Sequence, residues 1–387
     1  MSGGGGAKAS LVDVIRGRAL EAPGEPAFTY LRGEGVARTV SRGELDERAR
    51  ELAGRVQGAG AGGENVLLLC PPGLEYVVAF LGCLYAGARP VPAYPPRRNR
   101  SWERLADIVA DAGARYAIGV EAALSAVGGV GGLRAAIPGL GWIAADAVGA
   151  EGEGEWRPQP AGGGDVAFLQ YTSGSTAAPR GVVLSHANLL ANLSHVEAVC
   201  GLDQSSRAVS WLPPYHDMGL IGGVLQPLYT GFPAVLMSPV AFLQSPIRWL
   251  RAISEHGATI SGGPNFAYDW CVDRIGPGPR ASLDLSSWRV AFNGAEPLRR
   301  GTMERFAEAF AASGFDRGAI FPCYGLAEAT LLVAGGRAPG GLDSLELSRA
   351  ALERSEIVES AAGEARQVTV VGCGPVLPAN RVRIVGP

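Results

Sequence analysis

The sequence predicts an α/β protein: two stacked βα subdomains with largely parallel sheets, then the start of a smaller β subdomain. Three observations predict it. Helical and extended signals alternate along the chain, and strands separated by helices imply right-handed crossovers into a parallel sheet. Short apolar runs such as Asn65-Val-Leu-Leu-Leu-Cys70 suit strands buried on both faces. At 387 residues the chain is also too long for a single core. The expected divisions are 1–160, 161–340, a looser segment over 341–366, and 367–387 as the beginning of the β unit.

In the first subdomain, Ser41 and Glu44 predict a capping box opening a helix that runs to about Val56. The strand Asn65–Cys70 turns at Pro71-Pro-Gly73 into an apolar helix, Tyr76 to Ala86, followed by an extended Pro90 to Ala93. A helix from Trp102 to Ala112 and a strand from Arg115 to Gly119 continue the rhythm. Gly129-Val-Gly-Gly-Leu-Arg134 imitates a dinucleotide fingerprint but carries arginine where the third glycine must sit. The loop Gly149 to Gly164, rich in Gly, Glu and Pro, leads into a strand, Val166-Ala-Phe-Leu-Gln170.

A second alternating block follows to about Val333. Within it, Met218 to Ile247 carries no charged residue, but Pro227, Pro233, Pro239, Pro246, Gln226 and Gln244 break any membrane-spanning helix. It reads as buried strand–helix–strand, with no stable membrane insertion. After Arg337 a polar stretch surrounds a helix, Ser348 to Ser355. Gln367–Val371 and Arg381–Val385 read as strands of the β unit.

Composition narrows the function. Hydrophobic residues at 47% against 18% charged fit a globular chain. A net charge of −3, with no basic cluster above short runs such as Arg97-Arg98, argues against a nucleic-acid surface. The six cysteines form no C-x-x-C pair and the four histidines no obvious metal cluster, which fits reduced, cytoplasmic thiols. Met1 to Ser10 is Gly-rich and has no apolar signal core.

The most informative stretch is Tyr171-Thr-Ser-Gly-Ser-Thr-Ala-Ala-Pro-Arg-Gly-Val182. Hydroxyls of Thr172, Ser173, Ser175 and Thr176 surround Gly174, whose missing Cβ permits close ligand approach. Successive N–H groups in such a loop form an anion-binding concavity, and Arg180 adds a fixed positive charge. The loop also follows a strand, where ligands of α/β sheets bind. It is not a Walker loop, and by residue type alone it also reads as a polar surface turn. Three later stretches fall at expected strand ends: Trp211-Leu-Pro-Pro-Tyr-His-Asp-Met-Gly-Leu-Ile221, Phe292-Asn-Gly-Ala-Glu-Pro297 and Phe321-Pro-Cys-Tyr-Gly-Leu-Ala-Glu-Ala-Thr330. Each alone could be an ordinary turn.

Together, in this order, they resemble the adenylate-forming superfamily, and within it the fatty acyl-AMP ligases. Ala93-Tyr-Pro-Pro-Arg97, Gly263-Pro-Asn-Phe-Ala-Tyr-Asp269 and Ala327 carry the finer resemblance, as does 341–366, where these ligases hold an insertion associated with poor use of coenzyme A. The resemblance implies ATP and Mg²⁺ as cofactors, a fatty acid as substrate and an acyl carrier protein as acceptor. It implies that Thr172, Ser173, Gly174, Ser175, Thr176 and Arg180 hold the β- and γ-phosphates. Gly294, Ala295, Glu296 and Pro297 would line the adenine, with Tyr324 stacked on it beside Gly325, and Glu328 would hold Mg²⁺. His216 would orient the acyl carboxylate, while Met218, Ile221, Gly263 and Phe266 would wall an acyl tunnel. An acyl-CoA synthetase and an inactive nucleotide- or acyl-binding fragment are the alternative readings. Arg180 stands where the family usually has lysine, and Ala177 where many members have glycine. A ribose-binding Asp and a catalytic Lys on a mobile C-terminal domain are expected beyond position 387, so binding without efficient turnover is expected of this stretch.

Overall fold

Ser10 caps the helix Leu11–Glu21: its hydroxyl accepts from Asp13 N at 3.2 Å, and the Asp13 carboxylate accepts from Ser10 N at 2.8 Å. The computed structural model describes residues 10–33, 35–94, 102–146, 155–172, 179–337, 341–360, 366–378 and 380–385. The chain forms two units, Met1–Ser194 with Trp211–Pro239, and His195–Ser210 with Val240–Pro387.

In the first unit, four parallel strands lie in the order Arg89–Pro92, Asn65–Leu69, Tyr116–Gly119, Gly141–Ala144. Leu67 and Leu68 are fully buried, as expected of a strand covered on both faces. The helix Leu74–Tyr85 is buried nearly all round, and for that reason reads as apolar at every turn. Pro26–Arg32 pairs antiparallel with Gly35–Ser41 and parallel with Ala234–Met237. Val166–Thr172 and Arg180–Ser185 form an antiparallel hairpin whose Leu169 and Tyr171 pack against the Leu67–Val91 core.

Two expectations need correction here. Ser41 caps the helix Arg42–Gly58 through Glu44 N at 3.1 Å, but the Glu44 carboxylate turns to Arg38, so only half of the box forms. Met218 to Ile247 is not strand–helix–strand. It runs as a π-helical turn Met218–Leu225, a helix Gln226–Thr230, the strand Ala234–Met237 and a helix Pro239–Gln244. Over Leu220–Met237 the chain is buried on nearly every side and shows no period, so its apolar character could not order the elements.

In the second unit the strands Ala208–Ser210, Ile260–Gly263, Val290–Asn293 and Ile320–Gly325 are parallel neighbours, with Leu332–Gly335 antiparallel at the edge. Its core is aromatic: Trp288 packs edge-on against Trp249, Phe306 and Phe315, and its indole N–H donates to Val290 O at 2.9 Å. The helix expected over Ser348 to Ser355 is one short turn, Arg349–Leu352. Gln367–Val371 is a strand, paired antiparallel with Ser344–Ser348, and buries Leu347 and Val371 while Leu345 and Val370 face outward. Arg381–Val385 is not a strand: it pairs with no described residue, and Val382, Ile384 and Val385 stand exposed. Alternating apolar residues specify a strand only where a partner edge supplies the hydrogen bonds.

Candidate active site

The expected site residues fall into two groups, one in each unit. In the first unit, Thr172 and Arg180 are direct partners, the last described pair of the hairpin before residue 173. Ser173, Gly174, Ser175 and Thr176 lie outside the described residues. Pairing fixes the backbone of Thr172 and Arg180, and Arg104 donates to Thr172 O at 3.4 Å. Gly181 has a specific cause. It lies opposite Tyr171, and a Cβ there would come within 2.8 Å of the Tyr171 ring. That ring's hydroxyl donates to Asp111 Oδ2 at 2.5 Å, and burial followed by this bond pushes the phenol well above its ordinary range.

Gln170, two residues before Thr172, ties the hairpin to the histidine segment. Its side chain is 2% exposed and its amide donates to Tyr215 O at 3.0 Å, immediately before His216. His216 itself is exposed, with Nδ1 3.7 Å from Asp217 Oδ1, beyond hydrogen-bond range. Asp217 instead accepts from Met218 N at 2.6 Å and starts the π-helical turn, on which Met218 is half-buried and Ile221 fully buried.

In the second unit the parallel register brings the remaining residues to one edge. Gly263 and Asn293 end their strands in register with each other, and Asn293 pairs with Pro322, midway along the third strand, whose carboxyl half continues to Gly325. Just beyond them come Phe266, the turn Gly294–Pro297, and Tyr324 to Glu328. This is the edge at which open α/β sheets bind ligands. Gly294 backs directly onto the next strand: a Cβ there would lie 2.7 Å from Cys323 Sγ. Ala295 adopts φ +71°, a left-handed conformation that costs a residue with a side chain about 1–2 kcal/mol. Glu296 and Pro297 are exposed, and Tyr324 keeps half its surface open. Glu328 sits exposed on a single 3₁₀ turn, Ala327–Ala329. Phe266 is 39% exposed and packs on Trp270 at 5.7 Å and Phe242 at 6.4 Å between ring centroids. Among the described residues, no group of three or more His, Cys, Asp or Glu could hold a metal. Reasoning from the sequence missed Gln170, Asn265 and Asn293. The signal available was a carboxamide at, or just after, the end of an apolar strand.

The sequence profile of the family described as AMP-binding enzyme matches residues 15–387. The chain belongs to that family. Among its relatives, the medium-chain-fatty-acid–[acyl-carrier-protein] ligase JamA of Moorena producens (strain JHB) is 41% identical over 385 residues, covering 98% of this chain and 65% of the relative. The long-chain-fatty-acid–AMP ligase FadD26 of Mycobacterium marinum is 36% identical, covering 84% of this chain and 57% of its own. A crystal structure of fatty acyl-adenylate ligase from Legionella pneumophila, in complex with acyl adenylate and pyrophosphate, superposes with a TM-score of 0.88. It is 41% identical and covers 95% of this chain and 64% of that one. The chain therefore spans less than two thirds of the length of these relatives. The α/β fold expected from sequence is the fold of this family. No helix among the described residues is long and apolar enough to cross a membrane.

Proposed function

We propose that the protein to which this chain belongs activates a fatty acid with ATP, giving acyl-adenylate and pyrophosphate, and passes the acyl group to an acyl carrier protein thiol in the cytoplasm. The observation that supports the reading is the shared register of Gly263, Asn293 and Pro322, beyond which the turn Gly294–Pro297, Tyr324 and Glu328 follow on the carboxyl side of adjacent strands, in a chain of the AMP-binding family. The relatives named for fatty-acid–carrier-protein and fatty-acid–AMP ligation support the substrate and the acceptor.

In this reading the fatty carboxylate attacks the α-phosphorus in line and pyrophosphate leaves with the electron pair of the broken P–O bond. The protein supplies position and neutralising charge. Hydroxyl and N–H donors of Thr172 to Thr176, with the Arg180 guanidinium, hold the β- and γ-phosphates. The backbone of Gly294 to Pro297 lines the adenine while Tyr324 and Gly325 cover its face. His216 orients the acyl carboxylate, and Met218, Ile221, Gly263 and Phe266 line its chain, where each buried methylene contributes about 0.8 kcal/mol. Mg²⁺ fits the donor set: it is ordinarily held by one or two carboxylates together with substrate phosphates, and Glu328 offers one exposed carboxylate. When bound there it would neutralise phosphate charge.

Pyrophosphate exchange with a series of fatty acids of increasing length tests the reading in the protein containing this chain. Acid-dependent exchange, followed by acyl transfer to a carrier protein in preference to coenzyme A, is expected. No exchange with any acid sinks the enzymatic reading, and rapid acyl-CoA release in its place would make the protein a synthetase.

A further inference from the structure

The residue best placed to govern the nucleotide turn belongs to another strand's loop. Asn265 is the first residue of the helix Asn265–Arg274 and is 1% exposed. A carboxamide there would ordinarily serve its own helix, yet Pro264 is the N-cap and makes no side-chain cap bond. All three recorded hydrogen bonds of the Asn265 side chain instead go to the segment around Ala295. Its Nδ2 donates to Pro297 O at 2.9 Å, and its Oδ1 accepts from Arg299 N at 3.1 Å and from Asn293 Nδ2 at 3.1 Å. The Arg299 N–H can only donate, so the orientation of the Asn265 amide is fixed, and with it that of Asn293. One side chain thus grips the turn before Gly294 and after Glu296. Between those grips Ala295 holds its left-handed φ of +71°, which surrounding structure must enforce. Asn293 Oδ1 is left buried with no hydrogen-bond partner, so the network spends one amide oxygen to keep this geometry.

We infer that Asn265 is a positioning residue for the nucleotide: it holds the Asn293–Arg299 turn in the left-handed form that meets the adenine. This rests on the reading of that turn as the adenine site. Because Phe266 follows Asn265 directly and stands exposed at the acyl wall, the same residue joins the acyl-facing segment to the nucleotide turn.

The test is titration calorimetry of MgATP and of dodecanoic acid against this chain, with N265A and N265D. N265A removes all three bonds. MgATP affinity is expected to fall at least about tenfold while dodecanoate affinity changes far less. N265D is isosteric, and its protonated acid can still donate to Pro297 O, whereas the carboxylate sets oxygen against oxygen. Burial raises a carboxyl pKa, so the MgATP defect of N265D relative to the unsubstituted chain should be small near about pH 5 and grow towards about pH 8. Among the titratable groups nearby, the Cys323 thiol is pushed up to about 12 by burial and stays neutral across that range. Asp269, one turn along the helix, is paired with Arg305, and Glu296 is exposed. If N265A fails to fold, the pH series on N265D decides alone. MgATP affinity matching the unsubstituted chain in the folded variants, or MgATP and dodecanoate affinities falling together with Tm, overturns the inference. If the unsubstituted chain binds no MgATP, the adenine reading itself fails and the inference falls with it.

Discussion

Replacing Gly294 by alanine perturbs the turn Gly294–Pro297, proposed above to meet the adenine, at its tightest point. The new Cβ would stand 2.7 Å from Cys323 Sγ and 3.0 Å from the Cys323 carbonyl oxygen, against the ~3.5–4.0 Å of an unstrained contact. Neither neighbour can yield freely. Cys323 Sγ bonds to Asn293 O at 3.3 Å, and Phe321 and Pro322 just before it are locked in register with Phe292 and Asn293. The turn must move instead. Overpacking of this kind costs about 1–3 kcal/mol, which corresponds to about 5- to 150-fold in affinity when the displaced conformation is the one that binds. Titration calorimetry with MgATP measures it directly, with Tm reporting the share lost to folding. Adding Cys323→Ala removes the sulfur contact but leaves the carbonyl, so the double variant should recover part of the lost affinity. MgATP affinity unchanged in Gly294→Ala, or a double variant no better than the single, would refute the claim that this turn meets the nucleotide through its packing on Cys323.

Further outcomes follow from other positions. Gln170→Leu removes the amide that donates to Tyr215 O, so thermal unfolding should show a loss of about 0.5–1.5 kcal/mol; an unchanged Tm would mean that the amide does not tie the hairpin to the His216 segment. Tyr324→Ala removes a half-exposed ring, so AMP affinity should fall by about 1–3 kcal/mol with little change in Tm; equal AMP affinity defeats the stacking role. His186 is buried, accepts from Leu11 N through Nδ1 at 3.3 Å, and burial lowers its pKa below 6.5. The unfolded chain therefore binds the proton more readily than the folded one. Stability from the neutral imidazole is complete above pH 6.5 and is lost as pH falls towards the lowered folded value. Urea midpoints of the wild type should drop across that range by more than those of His186→Gln, and identical slopes would contradict the assignment.

Much of this was legible because local chemistry and tertiary demand agree. Asn65–Leu69 is short, apolar and followed by Pro71-Pro-Gly73, so strand and turn follow from residue type. The motifs at Gly294–Pro297 and Tyr324–Glu328 were legible as glycine turns after apolar strands, and the sheet does bring them to one edge. Other features depend on partners far along the chain. Asn265 meets partners 28, 32 and 34 residues later, which no local pattern announces. The strand Ala234–Met237 exists because Pro26–Arg32 offers it an edge, so the uncharged stretch around it could not be parsed alone. Arg381–Val385 shows the converse, a strand-like pattern without a paired edge among the described residues. The need for Gly294 follows from Cys323, a residue on a different strand.

Comparison of MgATP with AMP as ligands for Arg180→Ala and Glu328→Gln tests the central assignment most directly. Both side chains are exposed, so neither substitution should disturb folding. If the guanidinium and the carboxylate both serve the magnesium triphosphate, each variant loses MgATP affinity by at least about tenfold while AMP binds as before. MgATP affinity untouched in either variant, or AMP weakened as much as MgATP, would contradict it.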